Sequence, residues 1–417
     1  MNIKTRHNAL ALVLAGGRGL RMGILSIPRP KPCLPFAGSY RIIDFVLSNC
    51  AHSGIEKVAI LADYQRCVLT RYLSEWHKST HFWRSMDVLI PRGVSFAGTA
   101  DAVFQNTDYI RACNAPSVLI LAGDHIYKMN YRPMIALHEA SGADVTVAVA
   151  PMPADQAHRF GIVGVDSSGR ITDFVEKPAR PSGNLVSMGI YVFKQEALLR
   201  SLAKDAVAVG SVHDFGYSVI PQMVGEGNSF AYRYDDYWQD VGTIESYYQT
   251  NIAMARGELP FSMEGDWKVV TRAARFPRIR KHGHASIKSS LVGPGCLVKG
   301  EVENSVLSPG VVVEHNAVVR NSVIMAKSVI DQHSIVNEAV LDEGVHVGRA
   351  CVVGSLGGGA LKEKGITVVG KGVIIPKSTV IPRNCTVVPT EAAVRAAHCP
   401  DGRQDVVVVD GGSVRKF

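Results

Sequence analysis

The stretch SVLSPGVVVEHNAVVRNSVIMAKSVIDQHSIVNEAVL, residues 305–341, repeats a short apolar pattern at nearly constant intervals. Successive apolar groups are five or six residues apart, and most follow a serine or an alanine. Their centres are Val306, Val312, Val318, Val323, Val329, Ile335, Val340, His346 and Val352. This repeat predicts a left-handed parallel β-helix, in which every third short strand completes a coil and stacked coils bury one another's apolar faces. A β-sandwich of short strands is the alternative, but it gives no reason for a constant step.

The repeat defines the C-terminal part of the chain. It resumes in GITVVGKGVIIPKSTVIPRNCTVVP, residues 365–389, after the glycine-rich segment GSLGGGALKEK, which is predicted to be a loop. Residues 258–284 lose all periodicity and are interpreted as a linker. We therefore expect a catalytic domain over residues 1–257 and a β-helix over residues 285–417, with a role in assembly and regulation.

Residues 9–250 have a different pattern, in which short apolar runs alternate with amphipathic helical segments. A helix is predicted in RIIDFVLSNCAHSG, where apolar residues keep helical spacing until Gly54, and another in residues 243–257. The predicted strands are residues 11–15, 57–61, 117–123, 144–150, 171–177 and 185–193. Strands that alternate with helices indicate a Rossmann-like α/β domain with a mostly parallel sheet. Ligands bind at the carboxyl ends of the strands in such sheets.

Composition restricts the class of protein further. The chain has 417 residues, 47% of them hydrophobic, and a formal net charge of +8. Its eight cysteines form no C-x-x-C pair, so neither a zinc site nor a disulfide framework is predicted. Basic residues do not cluster into tracts, which favours small anions over nucleic acid as partners. No run reaches the about 18 apolar residues of a membrane span, and no signal peptide opens the sequence, so we expect a cytoplasmic protein without a membrane partner.

A glycine-rich turn follows the first predicted strand, in LVLAGGRGLRMG, residues 12–23. The backbone N–H groups of Gly16, Gly17 and Gly19 can form a concave anion site, to which Arg18 and Arg21 add positive charge. A plain structural turn is about as well supported by the glycines alone, and they do not match the G-x-G-x-x-G dinucleotide fingerprint.

A second cation supports the anion-binding interpretation of this turn. Lys31 lies in PRPKPCLP, where two flanking prolines restrict the backbone. Together with the arginines of the turn, it is expected to bind a polyphosphate.

Acidic side chains follow other predicted strands. Asp124 in LILAGDHIY comes directly after a buried strand, where a carboxylate is costly unless it is exposed or binds a cation. Asp240 in YWQDVGT supplies a second carboxylate, although it could instead cap the following helix. Two such oxygens suit Mg²⁺ that bridges a triphosphate.

The segments FVEKP and SMGIYVF place polar groups near strand ends in the same way. Glu176 can accept hydrogen bonds from sugar hydroxyls, Lys177 can pair with a phosphate, and Ser187 lies close to a glycine. In GTADAVFQN, Asp101 and Gln105 begin a helical pattern, where a backbone close to a ligand and a simple helix cap are equally supported.

Taken together, these segments resemble the bacterial ADP-glucose pyrophosphorylases, the glucose-1-phosphate adenylyltransferase family. The resemblance covers nearly the whole chain and rests on motifs that occur in the family's order. They are LAGGRG, YRIIDFVLSNC, GTADAV, LAGDHIYK, FVEKP, SMGIYVF, HDFG, YWQDVGT and the hexapeptide repeats. It implies a homotetramer that converts ATP and glucose 1-phosphate into ADP-glucose and pyrophosphate for glycogen or α-glucan synthesis.

The resemblance also implies roles for individual residues. Catalysis would depend on Asp124, Arg18 and Lys31, and Mg²⁺ would bind Asp124 and Asp240. The nucleotide would contact Gly16, Gly17, Arg18, Gly19, Arg21 and Lys31. The sugar phosphate would contact Phe96, Gly161, Glu176, Lys177 and Ser187. Allosteric effectors would contact Arg29 and Arg41.

Some positions depart from the family pattern. Leu20 and Met22 alter the glycine loop, and Phe96 and Ala97 stand where an aromatic–basic pair is usual, so a tyrosine hydroxyl near the glucose phosphate is missing. Pro28 and Pro35 replace a lysine and a histidine of the effector segment, so regulation is expected to be weak or absent.

Three other functions are compatible with the sequence. One is a non-catalytic regulatory homologue, and another is a nucleotidyltransferase for a different nucleotide or hexose 1-phosphate. The third is an acyltransferase that uses a histidine of the coils, for which His315, His333 and His346 are candidates.

Overall fold

The structure is a computed structural model of the chain. It describes residues 7–80, 82–83, 86–273, 277–281, 285–355, 365–390, 405–410 and 413–416. The chain divides into two compact units. The α/β unit consists of Met1–Gly17, Ile43–Trp238 and Met263–Val270, and the β-helix unit consists of Arg18–Ile42, Gln239–Ser262 and Thr271–Phe417. The predicted domain limits at residues 257 and 285 stay a prediction, since these units interleave along the chain.

A mixed sheet forms the centre of the α/β unit. Its first strand, His7–Leu14, pairs in parallel with Ile55–Leu61 on one side and Ser117–Ala122 on the other. Beyond Ser117–Ala122, the strand Leu185–Lys194 runs antiparallel. Along the sheet the order is Ile171–Glu176, Gly161–Val165, Leu185–Lys194, Ser117–Ala122, His7–Leu14, Ile55–Leu61 and Asp87–Leu89, while Val145–Pro151 pairs with both Leu185–Lys194 and Ser229–Arg233. The strands predicted from apolar runs are therefore confirmed, and the α/β fold with them.

Helices cover this sheet and bury its apolar side chains. The predicted helix in RIIDFVLSNCAHSG forms over Ile43–His52, with all its residues buried, and Gly54 follows with a left-handed φ of 73°. The other helices of the unit are Arg66–Thr80, Thr99–Phe104, Thr107–Cys113, Arg132–Ser141, Ala154–Ala157, Gln195–Ala206 and Ile220–Glu226, with a π-helical turn at Phe215–Val219. None of the helices within the described ranges combines the length and the apolar character that a membrane span requires.

Part of the predicted linker is anchored to the α/β unit. Ser48 Oγ accepts a hydrogen bond from Val270 N at 2.8 Å, and Trp267 Nε1 donates to Asn49 Oδ1 at 3.2 Å. The segment around Met263–Val270 is irregular, as its lack of periodicity predicts, but the helix Ile43–His52 holds it in place.

The β-helix is confirmed. Val312 pairs with Val329, and Val329 pairs with His346, so each partner lies 17 residues further along the chain. Three of the predicted steps make up this distance, which is one coil. In the described residues the short strands form three parallel sheets. The first holds Arg280–Lys281, Leu297–Val298, Val312–Val313, Val329–Ile330, His346–Val347 and Ile374–Ile375. The second holds Ser286–Lys288, Glu301–Glu303, Val318–Arg320, Ile335–Asn337, Val352–Gly354 and Val380–Ile381.

The third sheet carries the C-terminal extension. Its strands are Leu291–Val292, Val306–Leu307, Val323–Ile324, Ala339–Leu341, Thr367–Val369, Cys385–Val388, Asp405–Asp410 and Ser413–Lys416. The last two form an antiparallel pair. The predicted glycine-rich loop lies mainly outside the described residues, and the coils continue in register after it, with Val340 paired to Val368.

Small residues at the coil corners have a specific function. The hydroxyl of Ser328 donates to Asp342 O at 3.0 Å and accepts from Val345 N at 3.2 Å, so it joins one coil to the next. Ser334 makes the same pair of contacts with Gly348 O and Cys351 N. Each serine thus satisfies two backbone groups that would otherwise be buried without a partner.

The β-helix unit also contains the predicted C-terminal helix of the first 257 residues, Ile244–Arg256. This helix packs on the strands Val306–Leu307 and Val323–Ile324. The hydroxyl of Tyr248 donates to Asn321 O at 2.7 Å, and that of Tyr247 donates to Pro35 O at 2.5 Å. Two turns of 3₁₀ helix, Leu20–Ser26 and Lys31–Cys33, and the short strands Pro35–Phe36 and Tyr40–Arg41 complete the unit's described N-terminal segment.

Two adjacent isoleucines test the inward and outward alternation of the coils. Ile375 is fully buried inside the β-helix, whereas its neighbour Ile374 is 65% exposed. We expect Ile375→Ala to lower the free energy of unfolding by about 2–5 kcal/mol because it opens a cavity. Ile374→Ala makes the same chemical change in the same strand and should cost about 0.5 kcal/mol or less. Urea denaturation measures both values, and equal losses would contradict the assigned register.

Candidate functional site

The first strand ends at a glycine turn, as predicted. Ala15 N donates to Leu61 O at 3.0 Å, and Gly16 O accepts from Tyr64 N at 3.3 Å. A Cβ on Gly16 would lie 3.1 Å from Asp63 Cβ, so the backbone approaches the neighbouring strand end closely. Gly17 is exposed, and its N–H lies in the turn that leaves the carboxyl end of the sheet.

Asp124 lies at the same end of the sheet, just after the strand Ser117–Ala122. Gly123 precedes it and donates from its N–H to Leu14 O at 3.0 Å; a side chain there would meet this oxygen at 2.9 Å. The Asp124 side chain is 34% exposed, and its Oδ1 lies 3.6 Å from Nε2 of His125. The His125 ring is held in turn by Trp238, whose Nε1 donates to Nδ1 at 3.2 Å. Asp124 is therefore an accessible carboxylate beside a positioned imidazole.

Glu176 and Lys177 form an ion pair at the end of the strand Ile171–Glu176. Lys177 Nζ lies 2.7 Å from Glu176 Oε1. Two glycines face the carboxylate, since an added Cβ would lie 2.7 Å from Glu176 Oε2 at Gly161 and 2.5 Å from it at Gly216. Burial lowers the pKa of Lys177, but the hydrogen bond and charge of Glu176 outweigh this effect and raise the pKa. The structure thus brings together Gly161, Glu176 and Lys177.

The other two residues predicted to contact a sugar phosphate differ in environment. Ser187 is buried, and its hydroxyl donates to the phenol oxygen of Tyr191 at 3.4 Å. Burial raises the pKa of Tyr191, and the charges of Glu176 and Asp214 raise it further. The hydrogen bond from Ser187 has the opposite effect on this pKa and lowers it.

Phe96 packs against the apolar core of the α/β unit, and its N–H donates to Asp63 Oδ2 at 3.2 Å. Asp101 stabilises the same loop, because its Oδ2 accepts hydrogen bonds from Ala97 N at 2.8 Å and from Gln105 Nε2 at 2.7 Å. Gly98 occupies the N-cap position of the helix Thr99–Phe104, so this stretch does contain a helix cap, and Asp101 lies in the first turn of that helix.

In the β-helix unit, the predicted phosphate-binding loop folds around Lys31. Gly19 has a left-handed φ of 63°, and a side chain there would meet Lys31 Cβ at 3.1 Å. Lys31 itself is 5% exposed, and its Nζ lies 3.0 Å from Asp240 Oδ1. Both Asp240 Oδ2 and Nη2 of Arg21 border Gly242, within 3 Å of where a Cβ would be. Two predicted phosphate-binding cations thus flank one predicted metal ligand.

Arg18 and Leu20 lie on the outside of this loop. The side chain of Arg18 is exposed, as is that of Leu20 at 68%. Met22, the other departure from the family pattern, is fully buried. The loop therefore exposes one cationic and one apolar side chain to solvent, while the side chain of Met22 is buried.

Asp240 does not cap the helix that follows it. Thr243 is the N-cap of Ile244–Arg256, and its side chain accepts from Ser246 N at 3.1 Å. The alternative interpretation of Asp240 is therefore wrong, and its carboxylate is used for the ion pair with Lys31.

The two predicted effector residues pair with carboxylates of a coil. Arg29 is 2% exposed, and its Nη2 lies 2.8 Å from Asp342 Oδ1 and 3.2 Å from Glu343 Oε2. Arg41 Nη2 lies 3.1 Å from Glu343 Oε1, and its Nη1 donates to Cys33 O. Burial raises the pKa of Glu343, but Arg29, Arg41 and Lys371 outweigh it and lower the pKa to about 2.

The donor set is compatible with Mg²⁺. No group of three or more His, Cys, Asp or Glu side chains occurs within metal-binding distance in the described ranges. Magnesium is, however, commonly held by one or two carboxylates while water and substrate phosphates complete its shell. The accessible oxygens of Asp124 suit this requirement, whereas the Asp240 carboxylate forms an ion pair with Lys31.

Comparisons with known proteins identify the family of each part of the chain. The family model described as nucleotidyl transferase matches residues 10–257, and that described as GlmU-like, C-terminal hexapeptide, matches residues 272–375. A glucose-1-phosphate adenylyltransferase from Desulfitobacterium hafniense (strain Y51) is 38% identical over 389 residues, which cover 90% of this chain and 97% of that protein.

The chain belongs to the glucose-1-phosphate adenylyltransferase family. The enzymes of that name from Acetivibrio thermocellus and Pseudothermotoga lettingae are 38% and 39% identical to it. The two alignments cover 92% and 91% of this chain, respectively, and 94% of each relative. The resemblance found in the sequence motifs is thus confirmed.

Sequence reasoning missed several residues that shape this adenylyltransferase-family site. Gly216 and Asp214 lie in the HDFG motif, whose sequence alone indicates no role for either residue. Asp214 Oδ2 accepts from Thr99 Oγ1 at 2.8 Å, and so joins the HDFG motif to the GTADAV motif. No sequence pattern indicates a role for Asp342 or Glu343, because the repeat predicts only which coil residues point inward.

The low pKa of Glu343 predicts a loss of stability in acid. Its pKa is about 2 in the folded chain and 4.5 ordinarily, so its contribution is present above pH 4.5 and disappears as the pH falls toward 2. We expect Glu343→Gln to cost about 3 kcal/mol of unfolding free energy at pH 7 and much less at pH 2.

The control is Glu301→Gln, the same change at a 58% exposed carboxylate of the β-helix. It should cost less than about 1 kcal/mol at either pH. Chemical denaturation at a series of pH values measures both variants. A pH-independent effect of Glu343→Gln would disprove the electrostatic role.

Proposed function

We propose that the chain transfers the adenylyl group of ATP to glucose 1-phosphate, and so produces ADP-glucose and pyrophosphate for glycogen or α-glucan synthesis. The observation that carries this proposal is the near full-length match to adenylyltransferases, with 90% of the chain aligned to the Desulfitobacterium enzyme. The retained carboxylates Asp124 and Asp240, together with the paired Glu176 and Lys177, support catalysis over a purely regulatory role.

The proposed reaction is a single displacement. A phosphate oxygen of glucose 1-phosphate attacks the α-phosphorus of ATP in line, and the bond from the α-phosphorus to the bridging oxygen of the leaving pyrophosphate breaks. The nucleophile is already ionised, so no general base is required and no covalent enzyme intermediate forms. Positioning and electrostatic stabilisation must therefore supply the rate.

Each unit contributes different groups to this proposal. In the β-helix unit, Arg18, Arg21 and Lys31 bind and neutralise the triphosphate, and the exchange of Asp240 for phosphate oxygens releases Lys31 for this role. In the α/β unit, Lys177 binds the phosphate of the sugar, and Glu176 accepts from its hydroxyls.

Two carboxylates remain the proposed ligands of Mg²⁺. Asp124 and Asp240 would hold the ion, and bound Mg²⁺ would offset negative charge that develops on the phosphates. The backbone N–H groups of Gly16 and Gly17 would assist by donating hydrogen bonds to the phosphate oxygens.

We further propose a cytoplasmic homotetramer, since closed symmetric assemblies are common among oligomeric proteins and ATP and sugar phosphates are cytoplasmic metabolites. Regulation is proposed to be weak. Arg29 and Arg41 already pair with Asp342 and Glu343, so an anionic effector would have to displace these carboxylates.

A substrate matrix tests the proposed reaction. Purified chain is assayed for pyrophosphate release with each of four nucleoside triphosphates against glucose 1-phosphate, galactose 1-phosphate and mannose 1-phosphate. The proposal predicts the highest kcat/KM for ATP with glucose 1-phosphate. No release with any pair would favour the regulatory alternative, and another preferred pair would correct the substrate.

Asp124→Asn separates turnover from nucleotide binding. The change keeps size and hydrogen bonding but removes the charge, so we expect at least a ~10³-fold fall in kcat, or about 4 kcal/mol of transition-state stabilisation. The KM for ATP should change little. Lys177→Ala is the contrasting variant, because it should mainly raise the KM for glucose 1-phosphate. Near-normal turnover of Asp124→Asn with an intact circular dichroism spectrum would exclude the metal role.

A further inference from the structure

The ammonium of Lys177 has a second neighbour besides Glu176. Its Nζ lies 5.4 Å from the centroid of the Tyr217 ring. A cation within about 6 Å of an aromatic face is attracted by the negative charge of the π-system. Lys177 is thus held between a carboxylate and an aromatic ring, while its side chain stays 48% exposed. That exposure leaves it open to a ligand.

The backbone of Lys177 also directs this side chain. Lys177 has a left-handed φ of 44°, which is uncommon for any residue other than glycine, asparagine or aspartate. Its N–H donates to Phe160 O at 3.1 Å. A strained backbone of this kind persists only where the surroundings enforce it, and it is concentrated at ligand sites.

Tyr217 is held by a network that reaches two helices. Asp214 Oδ1 accepts from Gly216 N at 2.8 Å and from Tyr217 N at 3.2 Å. Thr99 Oγ1, at the start of Thr99–Phe104, donates to Asp214 and accepts from Phe215 N at 3.0 Å.

His213, which precedes Asp214 in the chain, also holds this turn in place. His213 Nδ1 lies 3.0 Å from Oδ2 of Asp205, on the helix Gln195–Ala206, and His213 O accepts from Ala100 N at 2.8 Å. The backbone that carries Tyr217 is therefore fixed from several sides, although the ring itself is 54% exposed.

We propose that Tyr217 is a positioning residue of the sugar-phosphate site, whose ring holds the Lys177 ammonium beside Glu176 for the phosphate of a hexose 1-phosphate. This inference rests on the proposed function and adds a residue to its substrate site. The ring, not the hydroxyl, supplies the interaction, because the contact is between the ammonium and the aromatic face.

The test compares Tyr217→Leu with Tyr217→Phe. Loss of a partly exposed cation–π contact should raise the KM for glucose 1-phosphate about twofold to fivefold in Tyr217→Leu. The KM for ATP and kcat should stay within about twofold of the wild-type chain. Tyr217→Phe keeps the ring and should restore the wild-type KM. Tyr232→Leu, the same change on the strand Ser229–Arg233, is the matched control and should have no effect on either KM.

A double mutant shows whether Tyr217 acts through Lys177. In the Lys177→Ala background, Tyr217→Leu should cause no further rise in the KM for glucose 1-phosphate. Full additivity of the two changes would overturn the proposal, as would an unchanged KM in Tyr217→Leu or a Phe variant as impaired as the Leu variant.

Calorimetric titration separates this inference from the proposed reaction. Glucose 1-phosphate is titrated into wild-type chain and the same variants in the presence of a non-hydrolysable ATP analogue. Binding that weakens in Tyr217→Leu and recovers in Tyr217→Phe supports the inference even if wild-type chain forms no ADP-glucose, in which case only the proposed reaction fails. Equal binding by wild-type and Tyr217→Leu chains, or no binding by any of them, overturns the inference.

Discussion

The first strand, His7–Leu14, is the constraint on which the α/β unit depends. Neighbouring parallel strands occupy both its edges, and the side chains from Leu10 to Val13 are fully buried. The chain can therefore reach solvent only where this strand ends. Gly16 and Gly123 make that exit possible, because each lies where a side chain would crowd the neighbouring backbone or strand end. Asp124 owes its position at the carboxyl end of the sheet to this arrangement.

The two units differ in how far their cationic side chains are buried. The β-helix unit buries Lys31 and Arg29, and each has a carboxylate within 3.0 Å. A buried charge without such a partner would cost several kcal/mol, so removal of either carboxylate is expected to destabilise the loop of residues 18–42. In the α/β unit, the Lys177 side chain remains half-exposed beside Glu176. Such a cation can exchange solvent for a ligand at little cost, whereas Lys31 must first give up its contact with Asp240.

Short sequence patterns were sufficient to predict those elements whose conformation depends on residues close together in the chain. Alternating side chains and serine corners predict the coils, because a parallel ladder buries every second residue and leaves room only for small groups where it bends. The predicted helix ending before Gly54 and the strand over residues 117–123 formed nearly as expected. The antiparallel course of Leu185–Lys194 was not predictable, since strand direction depends on long connections. Left-handed corners at Lys327 and Glu338 were not predictable either, because these residue types rarely adopt them.

The sequence by itself determined the fold class, the coil length, the family and the positions of the glycine turn and Asp124, since these follow from periodicity and short motifs. Only the tertiary structure decided which charges meet. Lys31 and Asp240 are 209 residues apart in the chain, and Arg41 and Glu343 are 302 apart. The contact of Tyr217 with Lys177 likewise joins separate segments. Such contacts depend on the three-dimensional course of the backbone. The spacing of hydrophobic residues along the sequence does not specify that course.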